Sequence, residues 1–136
     1  MAIPDDFQPL EPSPFSELVG PVYVRDPGSA PVLGVRVQSH HANRVGRAHG
    51  GLLMTLADIA VSRASVLHLP PGCTIATASL QIAFLRAVAE GQWLEAIPKV
   101  ERLGRALVHA SCTLRAGDAE VANVLATIAV RLPNPD

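Results

Sequence analysis

Residues 49–68, HGGLLMTLADIAVSRASVLH, decide the fold. After Gly50 and Gly51 neither proline nor glycine occurs until Pro70-Pro71-Gly72, which predicts one long helix from His49-Gly50-Gly51 to about His68. Leu52, Leu53, Met54, Leu56, Ala57, Ile59, Ala60, Val61, Ala64, Val66 and Leu67 cover most of its circumference, so the helix should be mostly buried. Thr55, Asp58, Ser62 and Ser65 nevertheless recur at spacings of three, four and three, which aligns them as one polar stripe on an apolar cylinder. A stripe of that kind calls for a polar partner.

Downstream of the helix the period changes to two. Ala78, Leu80, Ile82 and Phe84 alternate with Thr77, Ser79 and Gln81, which predicts a strand with those two sets on opposite faces. Three further alternating runs span about residues 92–102, 105–115 and 119–132, joined at Gly104 and at Gly117-Asp118, as expected of consecutive antiparallel strands. Pro98 cannot donate to a ladder, so its strand should have an edge or a bulge there.

Upstream, a polar loop from His40 to Arg47 follows two strand-like runs, Pro21 to Arg25 and Val32 to Ser39, which the turn-rich Asp-Pro-Gly-Ser-Ala-Pro stretch joins into a hairpin. Pro4, Pro9, Pro12 and Pro14 exclude a long helix or a central strand from the first 20 residues. Ser13, Pro14 and Gly20 supply an N-cap, a first-turn proline and a stop, so one short helix is expected there, packed down by Phe15, Leu18 and Val19. The expected organisation is a Pro-rich arm over residues 1–20 and a single domain over 21–136. Two strands, one greasy helix and four strands make an α+β fold, an antiparallel sheet of about six strands curled around one long central helix.

Composition narrows the partners. With 136 residues, 49% hydrophobic and 17% charged, the chain can build a real core. The net charge of −1 gives no basic field to draw it to nucleic acid or membrane, so an anionic ligand must be held locally. Cys73 and Cys112 lack paired spacing, which suggests neither a disulfide framework nor a zinc site, and a reducing cytoplasm fits best. His40, His41, His68 and His109 share no spacing with an acid that would mark a metal site, and are expected on the surface or on a sheet face. The start, MAIPDD, lacks a basic n-region and an apolar h-region, and no apolar run approaches the roughly 20 residues of a membrane span.

Asn43, Gly46, His49, Gly50, Gly51 and Asp58, written N-x-x-G-x-x-H-G-G-x6-D, resemble the signature of the PaaI-type hotdog thioesterases. The strand from Thr77 to Arg86, the Gly91-Gln-Trp-Leu94 segment and Gly104-Arg105 extend the resemblance from about Pro14 to Leu132. It implies a hotdog fold, a dimer or dimer of dimers, and action on acyl-CoA without a metal or other cofactor. It also implies that Asp58 orients and deprotonates the attacking water or attacks directly, that Asn43 and the Gly50 amide contact the thioester carbonyl, and that Thr77 stands near the water.

The first N–H groups of a helix lack intrahelical acceptors and carry the positive end of its dipole, so they can polarise a carbonyl oxygen. Glycine at 50 and 51 lets a thioester approach those donors. A carboxylate at Asp58, among Leu, Ala, Ile and Val, is costly unless it is bonded to a neighbour. Bland readings stand beside each of these: Gly50-Gly51 as a tight helix entry, Asp58 as a loop cap or partner of Arg63, His49 as an N-terminal cap and Thr77 as a good strand residue. His49 and Asn43 sit where their side chains can hydrogen-bond the thioester or fix the loop, Gly46 and Gly51 would border the substrate, and Arg86, Lys99, Arg102 and Arg105 are candidates for the CoA phosphates, with Arg86 and Arg105 foremost.

Gly50 and Asp58 lie eight residues apart on one helix, about 12 Å at 1.5 Å per residue, so they cannot serve one carbonyl group from the same chain. The Asp58 that serves a given Gly50 is therefore expected from a second copy, its helix antiparallel across a two-fold axis and the polar stripe lining the junction. Two alternatives keep the fold: an acyl-CoA-binding regulatory module without catalysis, and a dehydratase or hydratase, which His49 and Asp58 fit poorly. No GxSxG elbow is present for a serine-nucleophile route.

Overall fold

The computed structural model describes residues 2–26, 28 and 30–134. Along the chain come β1 (Gln8–Pro9), α1 (Pro14–Val19), β2 (Tyr23–Arg25), β3 (Val32–Arg36), a 3-10 turn (Ser39–His41), α2 (Gly50–Val66), β4 (Thr74–Phe84), β5 (Trp93–Leu103), β6 (Leu107–Ala116) and β7 (Ala119–Arg131). The seven strands form one antiparallel sheet in the order β1-β2-β3-β5-β6-β7-β4. α2 touches β3, β4, β5, β6 and β7, so the sheet curls around it. This is a hotdog fold of the α+β class, with one strand more than the expected six because the arm adds the two-residue edge strand β1. Pro27 and Ser29 of the expected hairpin turn lie outside the described residues; β2 and β3 on either side pair antiparallel.

Leu52, Leu53, Leu56, Ala57, Ala60, Val61 and Ala64 of α2 are buried against Val35, Leu94, Val108, Leu114, Val124 and Ile128 of the sheet. Each large aliphatic side chain removed from water there contributes about 1.5–3 kcal/mol, so the helix is held by packing far more than by its own propensity. The polar stripe is only partly a face. Thr55 and Ser65 each return a hydroxyl to the carbonyl four residues back, Gly51 and Val61, and Ser65 is fully buried.

The alternation of β4 is broken where the sequence pattern is silent. Thr77 pairs with Ile128 but Ser79 pairs with Thr127, so Ala78 is an extra residue, a β-bulge. Cross-strand partners share a sheet face, and Ile128, Ala126 and Val124 are buried. Ile75, Thr77, Leu80 and Ile82 therefore all face α2. The expectation that Thr77 points away from Leu80 and Ile82 is corrected by the bulge, which shifts the parity by one.

Pro98 stays in the ladder opposite Cys112, but the pairing of β5 with β3 ends at Ala96, so the strand is an edge on its other side at Pro98. The irregularity of β5 comes later, between Val100 and Arg102.

α1 has the expected cap: the Ser13 side chain accepts from the Ser16 amide, the Ser16 hydroxyl answers the Ser13 amide, and Gly20 closes the helix. Its packing differs from expectation. Phe15 and Leu18 are 59% and 76% exposed, while Ser16 is buried. The arm is held instead by Phe7, edge-on to Trp93 at 5.1 Å, and by two histidines on the last carbonyls of the helix. His41 Nε2 bonds the Val19 carbonyl oxygen at 2.5 Å and His40 Nε2 the Gly20 oxygen at 2.8 Å. His41 is thus buried rather than on the surface, and desolvation holds its pKa below the usual 6.5. Because the Gln38 amide donates to Nδ1, the ring is the neutral Nε2–H form.

Candidate active site

The loop ahead of α2 closes on itself. Asn43 Oδ1 accepts from the amides of Val45 and Arg47, each at 3.0 Å, and the Asn43 amide donates to the Arg47 oxygen at 2.7 Å. Gly46, at φ +79°, takes the left-handed position that this turn needs. The chain is then pinned on both sides, by the Ala48 amide to the Val88 oxygen and the His49 amide to the His41 oxygen, both at 2.8 Å.

His49 is the N-cap of α2, its Nδ1 accepting from the Gly51 amide at 2.8 Å. That bond uses up the second amide of the helix and sets the His49 proton on Nε2. A Cβ at Gly51 would lie 3.0 Å from Nδ1, so glycine there serves the cap. The Gly50 amide is different: it has no acceptor among the described residues, and the helix dipole adds to its donor strength. A Cβ at Gly50 would meet the Phe84 ring at 3.0 Å.

Gly50 forms part of the wall of a cavity of about 510 Å³ with Asn43, Arg47, Phe84, Arg86 and Val88. Sequence reasoning placed Asn43, Gly50 and Arg86 at the site, and the fold brings those three together. It missed Arg47 and Phe84. Phe84 was read as one more apolar strand residue, and only its 53% exposure beside Gly50 distinguishes it. Gly46, Gly51 and Arg105 do not line this cavity. Arg105 lies in the β5–β6 turn at the Leu107↔Ala129 end of the sheet, whereas Phe84 pairs with Ala122 at the opposite end.

Asp58 occupies a separate place midway along α2. Its Oδ1 accepts from Thr77 Oγ1 at 2.5 Å, and it makes no ion pair with Arg63 among the described residues. The bulge at Ala78 makes this contact possible by turning Thr77 inward. A bond from Thr77 leaves the other carboxylate oxygen available and fixes the orientation of the group. Asp58 does not line the cavity that holds Gly50.

Other chemistry is sparse. Burial pushes the Cys112 thiol up to about 12, which removes it as a thiolate nucleophile near neutral pH. Among the described residues no three His, Cys, Asp or Glu side chains cluster as metal ligands, and no helix is long and apolar enough to cross a membrane.

The sequence profile of the thioesterase superfamily matches residues 45–123, from the Asn43 turn through most of the sheet. The chain belongs to that superfamily. Within it, it is a hotdog thioesterase of the PaaI type, and the activity shared by this group is thioester hydrolysis. A Pseudomonas aeruginosa protein provisionally named an esterase is 37% identical over 125 residues, 90% of this chain and 93% of the relative. Among solved structures, a conserved protein of Pseudomonas aeruginosa superposes with a TM-score of 0.82 at 28% identity, covering 88% of this chain and 95% of that one. A mutant of the phenylacetic acid degradation protein PaaI from Thermus thermophilus has a TM-score of 0.78 at 27% identity, over 88% of this thioesterase and all 100% of the other.

Proposed function

We propose that this protein hydrolyses an acyl-CoA thioester to a free acid and CoA, at sites built by two copies of the chain. The observation that carries the reading is the division of the machinery on α2: an amide without an acceptor at Gly50, and a carboxylate oriented by Thr77 at Asp58, about 12 Å further along the helix.

In this reading the thioester carbonyl lies against the Gly50 amide of the partner subunit. Asp58 takes a proton from a water whose oxygen attacks the carbonyl carbon. The tetrahedral oxyanion is stabilised by the amide and by the helix dipole behind it. Collapse breaks the carbon–sulfur bond and leaves the acid, and the proton held by Asp58 passes to the departing CoA thiolate, which frees CoA and restores the carboxylate. Asn43 donates its free Nδ2 to the same carbonyl, since its Oδ1 is committed to the loop. His49 has only Nε2–H left to offer, and Thr77 positions the carboxylate. Arg86 and Arg47 stand at the cavity through which the pantetheine would leave, with charges suited to phosphate. Gly46 and Gly51 shape the loop and the cap that present Gly50, and residues 21–136 form the single catalytic domain with residues 1–20 as its arm.

Support for a second copy comes from β4. It is eleven residues long, TIATASLQIAF, without charge or proline, and only β7 pairs with it. An uncharged open edge of that length is a template for another strand. Pairing it with a second β4 would give a two-fold dimer, which could in turn assemble as a dimer of dimers.

Complementation between two dead variants tests the reading. Asp58→Asn and Gly50→Val chains, unfolded and refolded together, make about half of the dimers mixed, and each mixed dimer holds one site with both defects and one with none. Free-thiol release from an acyl-CoA panel should rise to about one quarter of the wild-type level per site. Mixed dimers seen by mass spectrometry that stay as inactive as either parent would sink the shared site.

A further inference from the structure

The Gly50 cavity carries an aromatic ring that the hydrolytic steps leave unused. Phe84 ends β4 opposite the fully buried Ala122, on the sheet face that packs on α2, yet 53% of it is exposed. An exposed phenylalanine is ordinary by itself. The fit of this one is not. A Cβ added to Gly50 would stand 3.0 Å from its Cζ, 3.3 Å from Cε1 and 3.6 Å from Cε2, so the tip of the ring fills the space that any other side chain at position 50 would need.

Both backbones are held where they are. Directly after Phe84, the Leu85 and Arg86 amides donate to the Val121 oxygen at 2.8 and 3.2 Å. Just before Gly50, the Ala48 amide donates to the Val88 oxygen at 2.8 Å, and Arg47 bridges to Ala89. A methyl at position 50 is therefore not relieved by a shift of either chain. The ring must swing about χ1 instead, and its exposure gives it room to do so.

The ring stands beside the Gly50 amide, which has no acceptor among the described residues. It offers that amide no competing partner and keeps water from one side of it, which strengthens the contact with a developing oxyanion. It also closes one direction of approach, so a carbonyl reaching the amide must pass along the ring. We propose that Phe84 is a positioning residue of the thioester site: glycine at position 50 makes room for the Phe84 ring rather than for the substrate, and the ring walls the Gly50 amide and aligns the carbonyl on it. The inference rests on the hydrolytic reading above and gives that site a residue it lacked.

A double-mutant cycle separates the two meanings of the glycine. Gly50→Ala keeps the amide but displaces the ring. Its kcat, on whichever of acetyl-, octanoyl- and phenylacetyl-CoA wild type cleaves fastest, should fall about tenfold or more with KM changed by less than about threefold, the scale of a misplaced carbonyl. Phe84→Leu, which ends short of Gly50, should lower kcat about threefold. Adding Gly50→Ala to Phe84→Leu should cost less than about twofold further and leave kcat above that of Gly50→Ala alone, because the methyl then takes the space of the ring tip. The same loss from Gly50→Ala in both backgrounds means that the substrate needs the room and overturns the proposal, as does a wild-type kcat in Phe84→Leu. Should Gly50→Ala not fold beside Phe84, a folded Tm regained in the Phe84→Leu background supports the pairing, and no recovery overturns it.

Calorimetric titration with S-phenacyl-CoA, which keeps a carbonyl but has no thioester to cleave, distinguishes this from failure of the hydrolytic reading. If wild type releases no thiol yet binds the analogue, and Gly50→Ala weakens binding about tenfold beside Phe84 but not beside Leu, the wall stands and hydrolysis falls. Equal weakening in both backgrounds, or no binding by wild type, removes the wall.

Discussion

The two halves of the candidate site sit on one helix but are built by different means. At the N-terminus of α2, the bonds that form the turn and the cap at Gly50 are local: the Asn43 turn closes over four residues and His49 caps an amide two residues away. At mid-helix, Asp58 depends on Thr77, nineteen residues on in the chain, and on a bulge that exists only because β4 is paired with β7. The first half is a property of a short segment. The second is a property of the folded sheet, and the two should respond differently to mutation.

The largest effect belongs to mid-helix. Asp58→Asn keeps the shape of the side chain and its contact with Thr77 but removes the base, so turnover should drop by at least about a hundredfold while thermal unfolding is nearly unchanged. Turnover near the wild-type level in a folded variant would take Asp58 out of the mechanism. Thr77→Val is isosteric and deletes only the hydroxyl. A hydrogen bond to a charged group contributes about 1.5–3 kcal/mol, so kcat should fall about tenfold, with KM little moved because Thr77 orients the carboxylate and does not hold CoA. A KM effect instead would place Thr77 on the substrate.

The N-terminal half should fail by losing stability. Asn43→Ala leaves the Val45 and Arg47 amides without their acceptor in a half-exposed loop, where water replaces part of the loss. The cost should be about 1 kcal/mol, a fall of about 3–5 °C in Tm by calorimetry, alongside the activity lost with the carbonyl contact.

The same division explains what was legible in the sequence. The HGG turn, the helix from Gly50, and the β6 and β7 hairpin follow from patterns contained in neighbouring residues. The inward turn of Thr77 did not, because strict alternation assigns it to the wrong face and nothing in Thr77-Ala78-Ser79 announces a bulge. Phe84 against Gly50 joins residues 34 apart and looks like ordinary core in a strand pattern. Phe15 and Leu18 erred in the opposite direction: a six-residue helix has room to bury one side, and that side holds Ser16. Composition could not show that His41, beside the exposed His40, would be the buried one.

His41 gives the smallest effect and the sharpest separation of the two halves, since its backbone oxygen holds the His49 amide while its ring holds the end of α1. Burial lowers its pKa below the ordinary 6.5, with the charge of neighbouring His40 acting in the same direction and the Val19 carbonyl opposing. The unfolded chain therefore takes up the proton first as pH falls. The stabilisation from the neutral ring is complete above about pH 6.5 and is progressively lost below it, down to the depressed value in the fold. Protonation would also set Nδ1–H against the Gln38 amide, two donors facing each other. Tm should accordingly decline between pH 7 and pH 5.5 by a few degrees, and His41→Gln, which keeps an amide donor for Val19 but cannot titrate, should flatten that slope. Hydrogen exchange at pH 5.5 should show the loss in α1 and at His49 while mid-α2 around Asp58 stays protected. An equal slope in the variant, or exchange spreading first through mid-α2, would mean that the arm and the helix N-terminus are not the acid-sensitive part of this fold.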